Sequence, residues 1–77
     1  MKSNKTSSIS VNIKKLRNKL GISQDRLSKL SDVTYNTIIK LESGANTNPT
    51  IETLVKISKA LNTGVDDLIQ SSRGKIG

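Results

Sequence analysis

Between Ser23 and Gly44 the segment SQDRLSKLSDVTYNTIIKLESG sets two helix-capping residues, Ser23 and Thr34, each ahead of a short helical run. A Ser or Thr oxygen accepts an N–H of the first turn and so fixes where a helix starts. Asp25 falls in the first turn after Ser23, where the helix dipole favours an anion. Leu27 and Leu30 mark an oily stripe on the first run, and Ile38 and Leu41 mark one on the second. Asp32 and Val33 form the turn between them, and Gly44 stops the second run. Few folds are open to such a segment. It predicts one helix to about Ser31 and another from about Tyr35 to Ser43, each with a single face to bury.

Helical spacing recurs on either side. Ile13, Leu16 and Leu20 repeat at three and four between Ser10 and Leu20, and Gly21 follows as a stop. At about 100° per residue these three form one face, and Lys14, Lys15, Asn18 and Lys19 point away. Arg17 lies at the edge of the oily stripe, where a charge needs a partner. ANTNP (45–49) is loop by composition. Thr50 caps the most regular helix, 51–61, whose apolar face is Ile51, Leu54, Val55, Ile57 and Leu61. Asn62 and Gly64 end it. The stretch 65–69 reads as a last helical turn anchored by Leu68, with Asp66 and Asp67 as its N-terminal anions. The expected organisation is a polar arm over 1–9, an all-α domain of four helices and a short fifth over 10–70, and a frayed tail over 71–77.

Composition narrows the function. In 77 residues with 32% hydrophobic content a small core is possible but a deep pocket is not. A core of this size is marginal unless its helices pack regularly or a partner shares it. Cys and His are both absent, which removes disulfides, thiolate metal sites, the common imidazole base and the common zinc ligand. No phosphate-cradling glycine loop or paired carboxylate site stands in for them. An enzyme is not expected, nor is a cofactor or a metal. No apolar run approaches the roughly 20 residues that span a bilayer, and the first residues lack the apolar core of a secretion signal. A cytoplasmic protein with no membrane partner is expected.

The net charge of +7 is unevenly spread. Residues 1–29 carry eight Lys and Arg against Asp25 alone, whereas residues 30–77 carry five cations and five carboxylates. All the excess lies in the first third. Two explanations are open: a polyanionic partner met by one side of the molecule, or a solvated lysine face that keeps the chain soluble.

The second helix of the Ser23–Gly44 segment favours the first. With Tyr35 at zero on the helical wheel, Asn36, Ile39, Lys40 and Ser43 fall between about 0° and 140°, and Ile38 and Leu41 between about 240° and 300°. If the oily pair packs inward, the other group faces out. It contains the sole aromatic residue of the chain. Asn can bond adenine twice, Lys donates to guanine O6 and N7, and an apolar side chain can meet the thymine methyl. The competing reading has Tyr35 and Ile39 partly buried against a neighbouring helix or a second copy.

Over about residues 10–69 the chain resembles the Cro and phage-repressor type helix-turn-helix family. The likeness is carried by ISQDRLSKLSDVTYNTIIKLESGANTNP, then the helix IETLVKISKAL and the terminal DDL. It implies a compact five-helix, lambda-repressor-like domain in which helices 2 and 3 form the helix-turn-helix. Thr34, Tyr35, Asn36, Ile39 and Lys40 are then the expected base-contacting residues. Ser23, Gln24, Arg26, Thr37, Ser43, Asn46 and Asn48 are expected at the phosphate backbone, and Gln24 would also steady Tyr35. The likeness further implies a pair between Arg17 and Glu42, which the wheel supports, since both sit at the edges of apolar faces. That pair is either partly buried or a weak surface contact. Asp32 stands where the family usually has Gly, and Asp tolerates a left-handed backbone better than most residues. Ser28 and Ser58 replace the usual Ala. The loop lacks the usual Arg or Lys and offers Asn46, Thr47 and Asn48, for which Lys5, Arg26 and Lys29 compensate.

The expected function is sequence-specific binding of double-stranded DNA by a transcriptional regulator, a repressor acting as a homodimer on a two-fold-related operator. Val65, Leu68 and Ile69 are candidates for the dimer seam. No ligand domain follows the helix-turn-helix, so no small-molecule ligand is expected. The alternative is an antitoxin or a small protein-binding adaptor on the same scaffold, with Tyr35 and Ile39 as apolar anchors.

Overall fold

The computed structural model describes residues 8–46 and 48–70. Residues 1–7 of the expected arm, including Lys5, together with Thr47 and the expected tail over 71–77, lie outside the described residues, whereas Ser8 and Ile9, placed in the arm by the sequence, belong to the first helix. Five helices follow in order: α1 (Ser8–Leu20), α2 (Gln24–Ser31), α3 (Tyr35–Ser43), α4 (Ile51–Ala60) and α5 (Val65–Ile69). Their principal contacts close a ring, α1 on α3, α3 on α2, α2 on α4, α4 on α5 and α5 on α1. This is a five-helix, lambda-repressor-like architecture. None of these helices is long and apolar enough to cross a membrane.

The breaks between helices are local chemistry. Ser23, Thr34 and Thr50 each accept an N–H three residues on, from Arg26 at 3.0 Å, Thr37 at 3.2 Å and Thr53 at 3.1 Å. Asp32 ends α2 in the left-handed region at φ 62°, ψ 33°, and Gly44 ends α3 at φ 87°. A non-glycine residue is strained there, Asp less than most. Asn62, also at φ 62°, follows the last turn of α4. Gly64 is the N-cap of α5 and has extended backbone, so the reversal after α4 belongs to Asn62.

Every helix sends at least one fully buried side chain to the middle of the ring: Ile13, Leu27, Ile38 with Leu41, Ile57 and Leu68. Val33, Leu54 and Leu61 complete the core. Four apolar expectations are corrected here. Leu20 is 48% exposed, Leu30 49% and Ile51 69%, and Val55 is only half-buried. On α2 the covered line runs through Leu27, Ser28 and Ser31, whose centre lies about 105° around the wheel from Leu30. On α4 burial begins at Leu54, one turn after Ile51. On α1 the buried residues are Ser10, Asn12 and Ile13, so its last turn overhangs the ring. Leu68 is wholly inside the protein and is withdrawn from the dimer seam.

The buried polar residues are all partnered. Ser28 Oγ donates to the Asp25 carbonyl and Ser58 Oγ to the Val55 carbonyl, each at 2.9 Å, so the hydroxyls at the usual alanine positions turn back on their own helices. Asn12 joins α1 to the end of α5, its amide donating to the Leu68 carbonyl at 2.8 Å and to the Gln70 carbonyl at 2.7 Å. Among the described residues no buried side-chain nitrogen or oxygen lacks a partner.

Candidate nucleic-acid interface

Within the ring α3 packs chiefly on α1 and α2, which leaves one long side open. Ile38 and Leu41 point in at 0% exposure. Tyr35, at 48%, points out, as do Asn36, Lys40 and Ser43, while Ile39 is half-buried at the margin. The division expected from the wheel is therefore the division observed, with Ile39 less open than its neighbours.

Hydrogen bonding sorts the candidate residues into two groups. The side chains of Tyr35, Asn36, Lys40 and Arg26 have no hydrogen bond or ion pair among the described residues. Thr34, Thr37, Ser23 and Ser43 are engaged locally. The Thr34 hydroxyl donates to Thr37 Oγ1 at 2.8 Å while capping α3. Ser43 Oγ donates to the Lys40 carbonyl and accepts from the Ala45 N–H. These four shape the ends of α2 and α3. The first four are free to meet something else.

Beyond α3, the Asn46 N–H returns to the Lys40 carbonyl at 3.0 Å, and Asn46 Oδ1 accepts the Asn48 N–H at 3.1 Å. This Asx turn folds the loop back against the end of α3 and leaves the Asn46 amide nitrogen and the Asn48 side chain as donors.

One cluster holds the whole arrangement. Glu42, 4% exposed, accepts Arg17 Nε at 2.6 Å, Arg17 Nη2 at 2.9 Å and Gln24 Nε2 at 3.1 Å. Arg17 Nη1 also donates to the Ile22 carbonyl at 2.9 Å. The pair is thus buried on the carboxylate side and bidentate, with side-chain exposures of 14% for Arg17 and 2% for Glu42. Hydrogen bonding to Glu42 raises the Arg17 pKa further, and burial opposes it less strongly. The cluster ties α1, the start of α2 and the end of α3 together. Gln24 therefore steadies Glu42, and no bond joins it to Tyr35. Another contact supports the same joint: Ser10 Oγ donates to the Glu42 carbonyl at 3.0 Å.

Lys29 pairs with Asp25 at 3.0 Å, both well exposed, an arrangement of small energetic value. Ser10 and Asn12, which fasten α1 to α3 and α5, gave no sign in the sequence, since a polar residue near a stripe edge reads as solvated. Only the facing carbonyls reveal their role.

Two short capped helices, a left-handed turn between them and an unpartnered polar face on the second define a helix-turn-helix protein. A helix-turn-helix family model matches residues 13–68, well over half of the chain, and the chain belongs to the Cro and phage-repressor type helix-turn-helix family of DNA-binding regulators. No curated protein and no solved structure matches the chain significantly.

Proposed function

We propose that the chain is a repressor that reads a specific double-stranded DNA sequence as a homodimer on a two-fold-related operator. The observation that carries this reading is the split of α3: Ile38 and Leu41 are fully buried, while the outward Tyr35, Asn36 and Lys40 have no partner within the described protein. In this reading α3 enters the major groove and α2 crosses the backbone. Asn36 addresses adenine, Lys40 addresses guanine, and Tyr35 and Ile39 supply apolar contact at the thymine methyl, with Thr34 at the entry of the helix. Ser23, Gln24, Arg26, Thr37, Ser43, Asn46 and Asn48 face phosphates, which position the protein while the bases select it. The free guanidinium of Arg26 and the spare donors of Asn46 and Asn48 suit that task. Ile69, 49% exposed, and the half-buried Val65 supply apolar surface for a seam between two copies. Repression follows from occupying an operator, and the cytoplasm is the compartment where such a protein meets bacterial or phage DNA.

Selection of bound fragments from random duplex DNA tests the reading. A palindromic motif is expected, with affinity that falls steeply as salt rises. A single protected half-site without two-fold relation defeats the dimer. Absence of any enriched motif defeats base reading by α3. Binding to duplex that does not respond to salt favours the protein-binding adaptor or antitoxin instead.

A further inference from the structure

A groove of about 430 Å³ runs beside the proposed reading face, between the outer side of α1 and the last turn of α3. Ser10, Lys14, Lys15 and Asn18 line it from α1 together with the exposed, apolar Val11, and Glu42 and Ser43 line it from α3. Lys14, Lys15 and Asn18 are exposed, and their side chains have no hydrogen bond or ion pair among the described residues. The carboxylate in the lining does not neutralise the two ammonium groups. Glu42 is 4% exposed and its oxygens are taken up by three N–H donors from Arg17 and Gln24. The groove therefore offers two unmatched cations and an amide around a concavity whose acid is already paired.

We propose that this groove receives a phosphodiester of the DNA backbone just outside the stretch met by α3. The inference rests on the DNA-reading function proposed above and extends its footprint. Continuity supports the occupant: Ser43 belongs both to the outward face of α3 and to the groove wall, so a strand that follows the end of α3 runs on into the groove. Charge supports it as well, because each phosphodiester carries a permanent negative charge, and every phosphate neutralised by Lys releases condensed counterions. The contact recognises backbone and not base, so it adds affinity without sequence preference. It also gives a location to part of the cationic excess in the first third of the chain.

The test compares Lys14→Ala and Lys15→Ala, singly and together, with Lys59→Ala. Lys59 is exposed on α4, which packs chiefly on α2 and α5, so that change removes the same charge far from the groove. Affinity is measured across a salt series for two duplexes bearing the selected motif, one extended on both sides and one trimmed to the motif itself. On the extended duplex the double substitution is expected to flatten the dependence of log K on log salt by about 1 per subunit, and each single groove substitution by less. It is expected to weaken scrambled DNA equally, and its effect is expected to vanish on the trimmed duplex. Lys59→Ala is expected to leave the slope unchanged. An unaltered slope in the double variant overturns the groove contact while the wild-type preference for its motif still stands. The same holds if Lys59→Ala matches the groove variants, or if trimming the duplex leaves their effect intact. A wild type with no preferred motif fails at the earlier step, the reading of bases by α3.

Discussion

Helices α3 and α4 have equivalent inner faces and very different outer ones. Ile38 and Leu41 on α3, and Leu54 and Ile57 on α4, are all sealed in the same core. On the outside of α4 the charges answer one another, with Lys56 Nζ 3.7 Å from Glu52 and 4.0 Å from Asp32. The outside of α3 has no carboxylate to answer Lys40, and Asn36 and Tyr35 likewise have no side-chain partner among the described residues. Amphipathic spacing is the more regular in α4, yet it only marks what goes inside. The unanswered polar groups distinguish the helix proposed to meet DNA from the helix that completes the core.

The largest expected effect tests how α3 is held. Glu42→Ala leaves the Arg17 guanidinium without its bidentate acceptor and is expected to cost about 3–5 kcal/mol in denaturant unfolding. A loss under about 1 kcal/mol would reduce the cluster to the level of the exposed pair on α4. Truncating the inner faces comes next: Ile38→Ala and Ile57→Ala are each expected to destabilise by about 2–5 kcal/mol. If one proved harmless, the claim of equal burial would fail.

Outer faces should then diverge. Asn36→Ala and Lys40→Ala are each expected to weaken binding to the selected motif by about 1–3 kcal/mol and to relax the base preference at the position contacted. Their stability should stay within about 0.5 kcal/mol of wild type. Lys56→Ala on α4 is expected to leave base preference untouched. Equal losses on preferred and random DNA for Asn36→Ala and Lys40→Ala would remove α3 from sequence selection.

The smallest effect lies at the α4–α5 corner. Asp67 Oδ2 accepts the Thr63 hydroxyl at 2.6 Å and the Gly64 N–H at 3.2 Å, and these bonds, the hydroxyl first, hold its pKa below the usual carboxylate range. A folded pKa below the unfolded one means stability is present above the ordinary carboxylate pKa and is lost as pH falls through the folded value. Asp67→Asn is expected to be slightly less stable at neutral pH, with a gap from wild type that closes in acid. A gap that widens on acidification would contradict the assigned bonding.

Much of the fold was legible residue by residue. Ser23, Thr34 and Thr50 start helices through bonds that span three positions, and Asp32, Gly44 and Asn62 end them through their own backbone angles. The outward placement of Tyr35, Asn36 and Lys40 was legible because Ile38 and Leu41 on the same short helix left them no other side. The expectations for Leu20, Leu30 and Ile51 failed for a shared reason. Spacing defines a stripe, but the width and length of stripe that neighbours cover depends on where they cross it. Residues 1–7 of the arm and the tail over 71–77 lie outside the described residues.

Local bonding, with a range of a few residues, needs only the order of side chains. For that reason the sequence by itself determined the number, type and limits of most helices and the division of α3 into two faces. Contacts between distant segments depend on how helices meet in space. Only the tertiary structure decided that Gln24 joins the Arg17–Glu42 pair, that Asn12 reaches the carbonyls at the end of α5, and that Lys14 and Lys15 border a groove beside α3. Each joins residues whose separation along the chain carries no signal of their distance.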